Sequence, residues 1–139
     1  MRWLDAASRV ALGWVFIQAG VDVIRNPHAP AKRAEPVLTA MRSASPRELP
    51  ADVVLVRLNA ATQVVAGSAL TLDVAPRLAA GALVASIVPT TFGGHRFWEF
   101  EPGPERNTQR NHFLKNVSIA GGLLHVLITP RRRARKEHS

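Results

Sequence analysis

The sequence predicts an all-α integral membrane protein, a four-helix bundle. Three observations predict it. Four apolar stretches, each near the length of one bilayer crossing, recur along the chain. The charged residues gather between these stretches and after the last one. There is no cysteine, so no disulfide framework replaces a buried core. The 139 residues have the size of one domain. They divide into a transmembrane domain over residues 1–130 and a basic juxtamembrane tail over residues 131–139.

The first stretch runs from Trp3 to Ile24. Its uncharged centre, Val10 to Val21, is too short to span alone, but the flanking Asp5, Arg9 and Asp22 can snorkel to headgroups. The second, Val53 to Leu72, carries one charge, Arg57. At 1.5 Å per residue it covers roughly 30 Å, one hydrocarbon thickness. The third, Leu78 to Gly94, carries none, and Pro89 is expected to kink or end its helix. The fourth runs from Asn111 to Thr129, with His112 and Lys115 in its first turn and Pro130 after it. Only Asp73 to Arg77 join the second and third, a tight antiparallel hairpin. Within the long first connection, Ala34 to Arg42 reads as a short interfacial helix. In the third connection Phe97, Trp98 and Phe100 read as an interfacial aromatic cluster. Gly81-x-x-x-Ala85 and Ser118-x-x-x-Gly122 would let helices approach closely. A soluble four-helix bundle is the alternative, but it needs a water-facing polar stripe on every helix, and the third stretch has none.

The formal charge of +8 comes from 18 Lys and Arg against 10 Asp and Glu. Five of the cations sit in the run Arg131 to Lys136, directly after an apolar stretch, a pattern that contacts lipid headgroups. A nucleic-acid module would spread its cations over a folded face with stacking aromatics, so no nucleic-acid partner is expected. The dense tail places both termini on the cytoplasmic side of the plasma (inner) membrane.

Ionisable and polar groups inside a membrane are costly and need an account. Asn59 and Gln63 lie four apart, on one face of the second helix. Arg57 lies well round from them and either snorkels, pairs with Asp52 or has a functional role. Gln109, His112 and Asn116, with Lys115 beside them, form a narrow polar stripe at the mouth of the bundle. Such a stripe can hydrogen-bond a quinone carbonyl or an oxyanion, with His112 as proton relay, or cap the third connection. Asp5 and Arg9 read as an i,i+4 pair. His95, Glu99, Glu101 and His112 match no ligand spacing, so no metal is expected. No nucleophile–base pattern, phosphate loop or dinucleotide fingerprint is present, and no catalytic residue is assigned.

Several runs together carry a family resemblance. They are Gly20 to Leu38, Val56 to Leu70 with Arg57, Asn59, Gln63 and Gly67, Val88 to Glu99, and Arg110 to Leu124. In order and spacing, over about residues 8–124, the chain resembles the DoxX family in its actinobacterial form. The resemblance implies a four-span plasma-membrane protein associated with redox, sulfur-oxidation or oxidative-stress enzymes. The family is named for similarity to a membrane subunit of a thiosulfate–quinone oxidoreductase. Some members are described as anchors joining a superoxide dismutase and a thiosulfate sulfurtransferase. Polarity and resemblance together mark Arg57, Asn59, Gln63, His95, Trp98, His112, Lys115 and Asn116 as candidate ligand-binding positions, with quinone the candidate cofactor. The alternatives are a non-catalytic anchor for soluble oxidoreductases, and a small transporter, which would need a homo-oligomer to make room for a solute path.

Overall fold

The computed structural model describes residues 2–129; the basic tail lies outside the described residues. Within them the chain is all-α. Helix α1 spans Arg2–Arg25, α2 His28–Ala44, α3 Asp52–Thr71, α4 Pro76–Gly94 and α5 Pro104–Ile128, with a short 3₁₀ turn at Phe97–Glu99. Helices α1, α3, α4 and α5 share one core, in which Phe16, Leu70, Leu83, Ile87 and Leu123 are buried. Helix α2 lies against α3 and α4.

Three helical segments are long and apolar enough to cross a membrane: Trp3–Arg25, Asp52–Thr71 and Pro76–Glu99. Their outer faces are apolar as well. Trp14 is 58%, Val65 69% and Leu78 76% exposed, which water would not tolerate across three adjacent helices but lipid would. The protein is therefore a multi-pass membrane protein. Helix α5 is long enough, at 25 residues, but opens on the polar run Pro104 to His112.

Helices α1 and α3 meet backbone to backbone. A Cβ on Gly20 would sit 2.6 Å from the Ala60 carbonyl oxygen, and one on Gly67 2.8 Å from the Gly13 carbonyl oxygen. Only glycine allows this approach. The spacings expected to do so elsewhere are looser. A Cβ on Gly81 would make ordinary contact with Leu127 at 3.7 Å, and one on Gly122 would lie 3.3 Å from Leu12.

Several local expectations are corrected. Of the two outcomes expected at Pro89, a kink or an end, the end does not occur there: helix α4 runs five residues past it. Pro89 leaves the Ala85 carbonyl without its helical donor, yet the next turn is reinforced. The hydroxyls of Thr90 and Thr91 donate to the Ser86 and Ile87 carbonyls at 2.9 and 2.7 Å. Arg9 pairs with Asp73 of the α3–α4 turn at 3.5 Å, so the helix-start pair with Asp5 gives way to a link between elements. Asp52 pairs with Arg42 rather than Arg57, tying the end of α2 to the start of α3. The α3–α4 turn itself uses left-handed backbone at Asp73 (φ 58°) and Ala75 (φ 43°) before Pro76 opens α4.

Candidate functional site

Two antiparallel rungs join α3 to α4. Asn59 and Gln63 lie one helical turn apart, as do Ser86 and Thr90 on the facing helix. The Gln63 amide donates to Ser86 Oγ at 2.9 Å inside the protein, and the Asn59 amide donates to Thr90 Oγ1 at 3.3 Å. A third bond joins α4 to α5, from the Asn116 amide to Thr91 Oγ1 at 3.0 Å. In each bond an α4 hydroxyl accepts from an amide side chain. Thr90 and Thr91 also pass their own protons to α4 carbonyls, so neither is left half-bonded.

Above these rungs, towards the start of α3 and the end of α4, lies a cavity of about 410 Å³. All five helices contribute to it. Phe16, Ala19 and Val23 of α1, Val37, Leu38 and Met41 of α2, and Leu55 and Val56 of α3 make most of its wall apolar. Its polar side is built by Asn59, Gln63, Thr90, His95, Lys115, Asn116 and Arg33. The volume falls within the range of small-molecule pockets, and so does the mixture of an apolar wall with a few converging polar groups.

His95 sits where α4 ends and is fixed on both sides. Its Nδ1 lies within hydrogen-bond distance of Gln109 Oε1, at 2.9 Å. Its ring stacks on that of His112, with centroids 5.0 Å apart and planes 22° from parallel.

The eight candidate positions therefore divide. Asn59, Gln63, His95, Lys115 and Asn116 line one cavity. His112 touches that group through its stack on His95. Trp98 stands apart, edge-on to Phe97 and Phe113 in an aromatic cluster completed by Phe92. Arg57 is exposed on a part of α3 that does not line the cavity. Among the described residues no group of His, Cys, Asp and Glu is placed to hold a metal ion.

Sequence reasoning missed Arg33. It also missed Ser86, Thr90 and Thr91 as the partners of the amides. A signal for Arg33 was present: Pro30, Ala34, Val37, Leu38 and Met41 recur at helical spacing, and Arg33 falls within that apolar face. Reading only Ala34 to Arg42 as helix cut the face off before Arg33 and pointed it at lipid headgroups instead of at the bundle.

No curated protein and no solved structure matches the chain. A family model does match, that of DoxX, over residues 4–96. The matched part holds α1 to α4, including α2 and the cavity-lining residues from Phe16 to His95. It covers more than half of the chain, and with the apolar helices described above it makes the chain a member of the DoxX family.

Proposed function

We propose that this protein is a four-span DoxX-type subunit of the plasma membrane whose cavity takes a lipophilic, quinone-like molecule, in association with redox enzymes. The cavity carries the reading: an apolar chamber reached from all five helices, with amide and ammonium donors on one side. A quinone suits such a chamber, because its carbonyls accept hydrogen bonds while its ring and tail need apolar walls. Lys115, Asn59 and Asn116 are the groups on hand to meet the carbonyls. A bound quinone would supply redox chemistry that a chain without cysteine cannot supply through thiols. In this reading His112 orients His95 through the ring stack, and Gln63 holds α3 to α4.

Support for α5 as the fourth span comes from its outer face. Leu114, Val117, Leu124 and Ile128 are all exposed and apolar. The span then starts beyond the polar first turns, near the residues predicted from sequence. Four spans put both termini on one side, which we assign to the cytoplasm from the basic run at Arg131 to Lys136.

The test is the quinone content of the protein purified in native lipid discs. Wild type is expected to carry close to one quinone per chain, and Asn116→Ala and His95→Ala to carry less than half as much. A wild type without quinone removes the cofactor from the proposal. The anchor reading then stands ahead, in which the protein joins soluble enzymes such as a superoxide dismutase and a thiosulfate sulfurtransferase. Recovery of those enzymes with the protein in mild detergent checks it.

A further inference from the structure

We propose that the cavity selects an anionic lipid, holding an ionised phosphate or carboxylate between Arg33 and Lys115 and an acyl chain along the apolar wall. This rests on the reading above only in that the cavity takes a ligand from the bilayer.

The observation behind it is a charge imbalance inside one chamber. Arg33 of α2 and Lys115 of α5 line the cavity, and among the described residues no aspartate or glutamate does. Among the described residues neither cation has an ion-pair partner, whereas three other arginines, Arg9, Arg42 and Arg96, each have a carboxylate partner. Two cations thus border a chamber whose remaining walls are mostly apolar. Both cations are exposed where they border the cavity, so an anion entering it can meet two like charges with an apolar wall behind them.

A neutral ligand would make no use of the two charges. A free inorganic anion would use them but leave the apolar wall of Phe16, Val23, Val37, Leu38 and Met41 unfilled. An acyl chain with an ionised head answers both. Arg33 can bind two oxygens of one head group in its planar fork, and Lys115 can add a point charge from the facing helix. The Asn59 and Asn116 amides, each bound to an α4 threonine through one N–H, keep a second N–H for the same head.

The experiment is native mass spectrometry of the full chain in neutral detergent. It would be titrated separately with phosphatidylglycerol, oleate, phosphatidylcholine, ubiquinone and inorganic phosphate. Phosphatidylglycerol or oleate is expected to give one saturable adduct at least tenfold tighter than phosphatidylcholine. Arg33→Gln and Lys115→Gln should each weaken it about tenfold or more, as loss of a charge-assisted bond does. Arg110→Gln, an exposed cation outside the cavity, should leave it unchanged. Thermal scans of each variant guard against loss of folding. A preference for phosphatidylglycerol assigns the head as phosphate, and one for oleate as carboxylate. Equal binding of phosphatidylglycerol and phosphatidylcholine, binding of inorganic phosphate alone, or an adduct indifferent to both substitutions overturns the proposal. Ubiquinone binding without any anion preference overturns it while leaving the quinone reading in place. Anionic lipid without ubiquinone supports it and removes quinone instead.

Discussion

Gln63 illustrates how one polar side chain can belong to the site and still act chiefly as a fastener. It borders the cavity, but it is 6% exposed and its amide nitrogen is committed to Ser86 across the α3–α4 interface. Hydrogen bonds of this kind between membrane helices contribute less than the low polarity around them suggests, because the separated helices find other partners. Gln63→Leu is therefore expected to lower stability by about 0.6 kcal/mol and by no more than about 1.7 kcal/mol. A double-mutant cycle with Ser86→Ala, read from reversible unfolding in mixed micelles, should return a coupling of that size. Simple additivity of the two substitutions would mean that the rung contributes nothing. The sequence already placed Asn59 and Gln63 on one inward face, because a spacing of four is a property of the helix alone. Their acceptors were not legible. Ser86, Thr90 and Thr91 are ordinary residues of an apolar helix until the register between α3 and α4 is known.

Between helices, the contact that fixes the bundle is the crossing of α1 over α3. Gly13, Gly20 and Gly67 replace side chains with direct backbone contact, so any added Cβ must push the two helices apart. Gly20→Val should cost about 1–3 kcal/mol, the range for overpacking a closed interface. Gly121 has nothing within 4 Å of an added Cβ, and Gly121→Ala should stabilise by up to about 1 kcal/mol through helix propensity alone. Thermal scans followed by tryptophan fluorescence compare the two. A neutral Gly20→Val would mean that the helices do not meet at that point. The glycines were visible in the sequence, but the choice among them was not, since it depends on which helices become neighbours. The same limit explains Pro89. A proline in an apolar run argues for a break, but Thr90 and Thr91 bond back to carbonyls of the preceding turn and carry α4 to Gly94. It explains α2 too, whose apolar face looked like a membrane-surface helix until α3 and α4 were there to receive it.

The molecule as a whole has two unlike ends. At one, Arg9 pairs with Asp73 and the Arg77 guanidinium donates to the Thr129 carbonyl at 2.8 Å, so the start of α1, the α3–α4 turn and the end of α5 are tied together. At the other, α2 and the turn before α5 surround the cavity. Length and hydropathy were enough to mark α1, α3 and α4 as spans from sequence. They do not decide α5, whose polar first turns dilute an apolar second half. A four-span arrangement requires that the cavity end and the tied end face opposite sides of the membrane. The absence of native cysteine makes this directly measurable with single substitutions and a membrane-impermeant maleimide on intact cells. Glu48→Cys, after α2, and Glu101→Cys, before α5, should label from outside. Val74→Cys, in the α3–α4 turn, and Ser139→Cys should label only after the membrane is opened. Labelling of Ser139→Cys from outside, with Val74→Cys still protected, would mean that α5 lies along the membrane and that the protein has three spans. Accessible Val74→Cys and Ser139→Cys with both other positions protected would keep four spans and reverse the orientation. The cavity would then open to the cytoplasm, where soluble redox partners could reach it.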